Sequence, residues 1–165
     1  YAPLMYQLTE SRIDCFLVDM PFHMAFFGMN RAEEIMQEYN YEAWYLGGHS
    51  LGGAMAANFA ADYVEDHTDG IRGLLLLAAY PTKDLSTSDM SVVTVYGSED
   101  GVLNMDKIVA GRELMPQDYK EVCIEGGNHA QFGSYGAQKG DGTAAIPAEE
   151  QWARTVEVFV GDESE

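Results

Sequence analysis

The chain has few basic residues, few cysteines and no long apolar run. It carries 9 Lys or Arg against 27 Asp or Glu, a formal charge of −18. A surface of that sign repels phosphate backbones and anionic membranes, so nucleic acid is not an expected partner. No apolar run reaches the roughly 18–20 residues that a membrane-spanning helix needs. Cys15 and Cys123 lie inside short apolar runs, which favours buried free thiols over a disulfide framework.

The sequence also carries no signal for a cofactor, a metal or an oligomeric state. No two histidines share a ligand spacing, and the two cysteines are far apart along the chain. No basic segment followed by an apolar one opens the chain, as a signal peptide would. The chain nevertheless starts at Tyr1 instead of Met, which is compatible with removal of a signal or anchor, so the compartment stays open.

Short apolar runs alternate with longer segments of helical period along the whole chain. This alternation predicts an α/β protein with a mostly parallel sheet flanked by helices, and 165 residues suffice for one domain, 1–165. The predicted helices cover 3–10, 30–39, 51–66, 105–114 and 147–160. The predicted strands cover 13–18, 43–46, 71–79, 91–96 and 120–125. The almost wholly apolar strand 71–79 is expected at the centre of the sheet, and the glycine-rich stretch 126–143 predicts a functional loop.

One short motif, Gly48-His49-Ser50-Leu51-Gly52, carries most of the chemistry. It follows the predicted strand 43–46 and opens the predicted helix 51–66, so its serine lies on a sharp strand-to-helix turn. A serine hydroxyl acts as a nucleophile from such a constrained position, and the flanking glycines let strand and helix approach closely. The next N–H lies at the helix N-terminus, where it favours a developing oxyanion. We therefore predict Ser50 as a nucleophile and Leu51 as an oxyanion-hole donor.

The same five residues have a plainer interpretation, a glycine-rich turn whose serine caps the following helix. A G-x-S-x-G match alone arises by chance in about one chain in ten of this composition. The strand before the motif and the amphipathic helix after it are the context that a nucleophile requires, and they favour that interpretation.

Turns after two later strands supply candidate partners for the serine. In this geometry an acid and then a histidine follow the serine, each at the carboxyl end of a strand. His129 follows strand 120–125 and is predicted as the general base. Asp100 follows strand 91–96 and is predicted as the acid that orients it, because a short side chain before glycine suits a tight turn. Glu99 stays as the alternative acid.

The three other histidines have blander interpretations. His49 lies inside the motif, directly before Ser50. Its side chain is expected to point away from that of Ser50 and to pack or hydrogen-bond locally. His67 lies near a helix C-terminus, which favours a surface cation. His23 lies in an aromatic loop and is either a pocket residue or a surface residue. None of the three fits the order of acid and then histidine.

These segments together resemble the α/β-hydrolase superfamily, and within it a small, lidless bacterial branch related to dienelactone hydrolases. The resemblance covers nearly the whole chain. Residues 47–53 (GGHSLGG) resemble that branch's elbow, residues 96–102 (YGSEDGV) its acid turn and residues 127–129 (GNH) its histidine loop. Dienelactone hydrolases carry cysteine at the nucleophile position, so Ser50 implies esterase-like chemistry.

The resemblance also implies that family elements precede this chain. Family members begin with strands before the helix that starts near Pro3, and the loop into that helix supplies a second oxyanion N–H. The chain is therefore expected to be an N-terminally incomplete α/β-hydrolase fold. Losing one such donor costs about 10²- to 10³-fold in rate, so weak activity, no activity and a role as part of a larger molecule are all open.

The expected function is hydrolysis of a small-molecule carboxylic ester or related acyl compound through an acyl-Ser50 intermediate. No long insertion follows strand 71–79, where a lid usually lies in this superfamily, so an open site is expected. The positions of the strand ends predict a pocket walled by Phe22, Tyr80, Gln131, Phe132 and Tyr135. Two alternatives stay open: a non-catalytic binding module of the same fold, and an acyltransferase that passes the acyl group to an alcohol or amine.

Overall fold

The computed structural model describes residues 1–18, 31–67 and 70–162. These ranges contain five helices and four strands. The helices are α1 (Ala2–Glu10), α2 (Arg31–Glu38), α3 (Leu51–Asp66), α4 (Met105–Gly111) and α5 (Ala148–Asp162). The strands are β1 (Trp44–His49), β2 (Ile71–Leu77), β3 (Ser91–Gly97) and β4 (Tyr119–Ile124). Short 3-10 turns cover Arg112–Leu114 and Ala130–Phe132.

The four strands form one sheet in the order β1-β2-β3-β4, and every pair is parallel. His49 is in register with Leu77, and Gly97 with Ile124, so the carboxyl ends of all four strands lie along one edge. The predicted class, an α/β protein with a parallel sheet flanked by helices, is confirmed. Segments that follow β1, β3 and β4 therefore emerge close together.

Strand β2 lies inside the sheet, with β1 on one side and β3 on the other. Leu74 and Leu76 point into the core beneath α3, whereas Leu75 and Leu77 point into the core beneath α1 and α5. All four leucines are buried. Beyond the exposed Arg72 near its start, this strand is covered on both faces, which explains why its sequence is apolar without alternation.

Each face of the sheet is covered by a different set of helices. Helix α3 lies on β1 and β2 and buries Ala57, Ala60 and Ala61, whose small side chains permit close approach. The opposite face is covered by α1 and α5, which contact each other. Trp152 and Phe159 of α5 are buried there, as the helical period predicts.

The predicted strand 13–18 is wrong. No described strand pairs with this segment, so its backbone lacks the ladder of hydrogen bonds that defines a strand. Its apolar side chains are used for packing instead. Ile13 and Cys15 lie against the core beneath α1 and α5, and the ring of Phe16 contacts those of aromatic residues around the start of β1.

The two cysteines are free but differ in burial. Cys15 is half-buried, whereas Cys123 is exposed. The expectation of two buried thiols is therefore wrong for Cys123. It lies on β4, which has a strand neighbour on one side only in the described sheet, so its apolar sequence neighbours did not ensure burial.

Candidate active site

Ser50 lies on the turn between β1 and α3 in an unusual backbone conformation, with φ 54° and ψ −125°. Few residues other than glycine adopt a positive φ, and such strain persists only where surrounding bonds impose it. The Ser50 N–H donates to Leu77 O at 2.9 Å, and the Ser50 carbonyl accepts from Gly53 N–H at 3.0 Å. The serine side chain makes no capping hydrogen bond to α3. This argues against the plainer interpretation of a capping serine.

Two glycines, Gly48 in the motif and Gly53 directly after it, permit the close approach of β1 and α3. A Cβ added at Gly48 would lie 2.5 Å from Gly52 O, and one added at Gly53 would lie 2.4 Å from the Cβ of Ala79. A Cβ at Gly52 would meet nothing within 4 Å. The contact therefore depends on Gly48 and Gly53, and Gly52, the last glycine of the motif, is not required for it.

The two oxygens of Asp100 have separate partners. Oδ1 accepts hydrogen bonds from the N–H groups of Val102 and Leu103, both at 2.8 Å. Oδ2 lies 2.8 Å from His129 Nδ1, and the two side chains are 2% and 1% exposed. Burial by itself would raise the pKa of Asp100, but the hydrogen bonds from His129, Leu103 and Val102 outweigh it and lower the pKa. Asp100 is therefore held as a carboxylate facing the imidazole.

Glu99, the alternative acid, has a different environment. Its side chain is exposed and accepts a hydrogen bond from Ser98 Oγ at 3.1 Å. Its backbone N–H donates to Gly127 O at 2.8 Å. Of the two neighbouring carboxylates, Asp100 is the one hydrogen-bonded to His129.

His129 directly follows the turn at the end of β4 and is almost completely buried. With Nδ1 bound to Asp100, the other ring nitrogen, Nε2, is also buried and has no hydrogen-bond partner among the described residues. The ring centroid lies 4.4 Å from that of His49, the residue before Ser50. The described structure thus leaves one nitrogen of His129 without a partner beside the turn that carries Ser50.

His49 packs directly on His129. The hydroxyl of Tyr1 is hydrogen-bonded to His49 Nδ1 at 3.0 Å, so this histidine packs and hydrogen-bonds as expected, but its partners are distant in sequence and not local. Burial, and then the nearby His129, lower the pKa of His49 to about 4. At neutral pH the two imidazole rings therefore do not repel each other through a charge on His49. No sequence pattern predicts this ring contact.

The other two histidines are distant from this arrangement or outside the described ranges. His67 is exposed at the end of α3, where its ring stacks on that of Tyr63 at 4.1 Å. Its predicted surface position is confirmed. His23 lies in 19–30, outside the described residues, as does the predicted pocket residue Phe22.

A buried glutamine on α5 holds the segment before His129. Gln151 is fully buried, its Nε2 donates to Asn128 O at 2.9 Å and its Oε1 accepts from Asn128 N–H at 3.0 Å. The amide thus pairs with both backbone groups of Asn128, as a neighbouring strand would. The Asn128 side chain donates to Gly142 O at 2.8 Å. Sequence reasoning missed Gln151, because its place in the helical pattern of α5 does not reveal its partner.

Asp141 is a second carboxylate close to this segment that the sequence analysis missed. Its Oδ2 accepts from Ala130 N–H at 2.8 Å, and its Oδ1 accepts from His129 N–H at 3.2 Å and from Gly101 N–H at 3.2 Å. It lies inside the predicted functional loop 126–143, where no periodicity marks any single position. Its flanking glycines, which permit tight turns, are the only local signal.

The described residues that were predicted to wall the pocket differ in burial and in their contacts, and two of them, Phe132 and Tyr135, have ring centroids within 6.0 Å of that of His49. Tyr80 is half-buried beside Gly111 of α4. The Gln131 side chain is hydrogen-bonded to Ile146 O and to Gln151, and Phe132 is fully buried in the core. Tyr135 is 49% exposed, and its ring centroid lies 6.0 Å from that of His49. Of this predicted set, Tyr135 alone combines exposed surface with a recorded contact to the paired histidines in the described structure.

Within the described ranges, no helix has both the length and the apolar character that crossing a bilayer demands. The same ranges contain no group of three or more His, Cys, Asp or Glu residues arranged to hold a metal ion.

Comparison with protein families gives one match that spans most of the chain. The model of the Alpha/beta hydrolase family matches residues 1–153. The comparison with curated proteins found no match. The family match includes β1 to β4 and therefore all the candidate site residues.

Solved structures with a similar fold include several proteins of low sequence identity. A monoacylglycerol lipase from Paleococcus ferrophilus has a TM-score of 0.71 at 16% identity, covering 98% of this chain and 89% of that one. The esterase domain of a Rhodothermus marinus protein has 0.58 at 12%, covering 82% and 66%. A carboxylesterase structure from Nitrososphaera gargenis has 0.55 at 11%, covering 84% and 71%. At these identities the likeness is one of fold.

Proposed function

Because the chain belongs to the Alpha/beta hydrolase family, we propose that it is a serine hydrolase that cleaves a carboxylic ester or related acyl compound. The observation that carries this proposal is the buried hydrogen bond between Asp100 and His129, 2.8 Å long, at the sheet edge where Ser50 also lies. The acid and the base follow the serine in chain order, as this fold requires.

In the proposed first step, Ser50 Oγ attacks the carbonyl carbon of the substrate while its proton passes to His129 Nε2. Asp100 holds the imidazole through Nδ1 and stabilises the imidazolium that forms. The tetrahedral intermediate then expels the alcohol, which takes the proton from His129 Nε2. Water repeats the sequence on the acyl-Ser50 ester and releases the carboxylic acid. In the described structure Nε2 has no hydrogen-bond partner, Ser50 Oγ included, so no other described residue occupies this nitrogen and the Ser50 hydroxyl must come within hydrogen-bond distance of it for the step to occur.

Leu51 is the proposed oxyanion donor. It is the first residue of α3, and the first N–H groups of a helix have no acceptor within the helix. Its position next to the strained serine aims this N–H at the reacting carbonyl oxygen, and the helix dipole favours negative charge there. The side chain is 48% exposed, in keeping with a site open to solvent.

Within the family, we assign the chain to the small, lidless branch related to dienelactone hydrolases, with serine as the nucleophile. The assignment is supported by the elbow, acid-turn and histidine-loop sequences. Only residues 78–90 connect β2 to β3, so no long lid follows β2 there. An open site suits small or exposed acyl substrates.

The solved relatives fit this choice of substrate class. Two are an esterase domain and a carboxylesterase by name, and one is a monoacylglycerol lipase. All three names describe cleavage of a carboxylic ester bond. The common fold supports ester hydrolysis as the reaction to test first, and the acyl group that this chain prefers is open to measurement.

Labelling with a fluorophosphonate probe tests the proposal, because the probe reacts covalently with activated serines. Wild type is expected to be labelled, Ser50→Ala to lose all labelling and His129→Ala to lose nearly all of it. Ser86→Ala, which removes an exposed serine distant in sequence from the site, is the matched control and should label as wild type. Rates on p-nitrophenyl esters of increasing acyl length then define the pocket.

The outcomes separate the three functions open from the sequence. A folded wild-type chain without Ser50-dependent labelling refutes the hydrolase and leaves the non-catalytic binding module. Labelling followed by faster turnover with added alcohol or amine, with transfer of the acyl group to it, indicates an acyltransferase. Labelling with release of free acid alone establishes hydrolysis.

A further inference from the structure

Three segments of backbone are in direct contact behind His129: the acid turn 97–101, the base loop 127–130 and the turn 140–142. A Cβ added at Gly97 would lie 2.1 Å from Gly127 O, and one added at Gly142 would lie 2.0 Å from Glu99 O. Separations this short leave no room for any side chain. Backbone contacts therefore bring these segments together, and side chains that bond to their backbones, such as that of Asn128 to Gly142 O, set how they lie against each other.

The carboxylate of Asp141 lies at the junction of these three segments. It accepts hydrogen bonds from the N–H of Gly101 in the acid turn, from the N–H groups of His129 and Ala130 in the base loop, and from Gly142 beside it, at 2.8–3.2 Å. Hydrogen bonds to a charged acceptor are stronger than those between neutral groups. One side chain thus links the residue after Asp100 to His129 itself.

We propose that Asp141 is a positioning residue that holds His129 Nδ1 against Asp100 Oδ2. It does not touch the reacting atoms. It fixes the backbone on both sides of the Asp100–His129 hydrogen bond, so its loss lets the two turns separate and the imidazole rotate. This inference rests on the proposed function for its effect on rate, whereas its effect on the geometry of the pair is independent of any activity.

Two substitutions at Asp141 remove its hydrogen-bond acceptors in part or completely. Asp141→Asn keeps an oxygen in place of Oδ1 but presents an NH₂ group to Ala130 N–H. Asp141→Ala removes every acceptor. Because a misplacement of about 1 Å can cost about 10²-fold in rate, we expect the rate of Ser50 labelling to fall about 10-fold in the first variant and about 100-fold in the second. Asp89→Asn, an exposed aspartate, is the matched control and should retain the wild-type rate.

A double-mutant cycle with Asp100→Asn distinguishes positioning from a general structural role. If Asp141 acts through the Asp100–His129 pair, Asp141→Ala should cost little further rate once Asp100 is replaced. If the double variant instead loses labelling rate by the product of the two single losses, the proposal is overturned. The fraction of protein that is eventually labelled should stay near wild type, since the substitution slows each site and does not inactivate a portion of the molecules.

The geometry is read directly by NMR, through the strongly downfield proton expected on His129 Nδ1, assigned by its loss in His129→Gln. Asp141→Ala should shift or abolish this signal while backbone spectra report a folded chain, and Asp89→Asn should leave it unchanged. An unchanged signal in Asp141→Ala overturns the proposal. Loss of the signal in a protein that shows no Ser50 labelling supports the positioning role and refutes the proposed function, so the two failures are distinct.

Discussion

The elbow around Ser50 and the base loop around His129 lie at the same edge of the sheet but are held in place by different kinds of hydrogen bonds. The carbonyl of Ser50 accepts from Gly53 and Ala54, three and four residues along the chain. His129 is bound to Asp100 across 29 residues and to Asp141 across 12, and the preceding Asn128 is bound to Gln151 across 23. The nucleophile is held by these local bonds of its carbonyl and by one bond to the neighbouring strand, from its N–H to Leu77 O. The base loop is held mainly by side chains that are distant in sequence.

This difference determines how each region fails. A change in the elbow alters the backbone where it occurs and leaves the rest of the sheet intact. A change in the base loop breaks its bonds to Asp100, to Asp141 and to Gln151 on α5, so activity and stability should fall together. Substitutions at matched positions in the two regions separate these behaviours.

The largest effect is expected from Asp100, the acid bonded to His129 of the base loop. Asp100→Asn removes the carboxylate that holds the imidazole tautomer, and the corresponding change in a serine protease triad costs about 10⁴-fold in turnover. We expect a loss of about that size in kcat on a p-nitrophenyl ester. Glu99→Gln, the same change one residue earlier on an exposed side chain, should stay near wild type. A larger loss from Glu99→Gln than from Asp100→Asn would assign the acid to Glu99.

The contrast between local and tertiary constraint also explains what the sequence could predict. A positive φ at Ser50 and a tight turn after β3 follow from residues adjacent to them, so Ser50, Asp100 and His129 could be named as candidates from short motifs. Gln151 and Asp141 act on His129 through backbone groups distant in sequence. Any buried glutamine on α5 or aspartate in a glycine-rich loop has the same local sequence signature, so no pattern distinguishes them.

The same limit applies to the fold. The run 71–79 predicts a central strand because apolar residues occupy both of its faces, as they do in a strand that is buried on both sides. The run 13–18 has comparable composition, yet a strand also needs a partner, and none of the described strands pairs with it. Similarly, both Gly52 and Gly53 follow the serine, and only the packing against Ala79 shows that Gly53 is the one without room for a side chain.

A second substitution removes the hydrogen bonds that connect the base loop to α5. Gln151→Leu leaves the buried N–H and C=O of Asn128 without partners. Each orphaned buried group costs about 1–3 kcal/mol, so the free energy of unfolding should fall by about 4 kcal/mol. Urea denaturation should show a lower midpoint with an unchanged slope. Gln117→Leu on the exposed surface is the control, and an equal loss there would contradict the role of Gln151.

His49 joins the two regions, and its protonation should weaken the fold in acid. The pKa of His49 is lowered from 6.5 to about 4, so the unfolded chain takes up a proton that the folded chain does not. The stabilisation is complete above the unfolded pKa and is lost as the pH falls through the interval between the two values. The difference corresponds to roughly 3 kcal/mol.

Unfolding by urea at pH 7, 5.5 and 4 measures this contribution. His49→Phe keeps an aromatic ring against His129 and cannot titrate, so its stability should fall less than that of wild type between pH 7 and pH 4. His67→Gln removes an exposed histidine and should follow the wild type. Parallel curves for wild type and His49→Phe would show that His49 does not resist protonation.

The smallest effect is expected from relief of strain in the elbow itself. Ser50→Gly and Ser50→Ala both remove the hydroxyl, so both should abolish labelling. Glycine adopts the φ of 54° at this position without steric cost, although it also gains more freedom in the unfolded chain. The net result should be a glycine variant more stable than the alanine variant by roughly 0.5–1 kcal/mol.

The same pair of substitutions at Ser86 should give a stability difference of the opposite sign. Ser86 is exposed and is not among the residues with positive φ. Glycine at this position relieves no strain and only increases the conformational entropy of the unfolded chain. Ser86→Gly should therefore be less stable than Ser86→Ala. Urea denaturation of the four variants measures both differences. If glycine were the less stable substitution at both sites, the elbow would hold no strain, and the local constraint that distinguishes it from the base loop would lie in the glycine contacts of Gly48 and Gly53 alone.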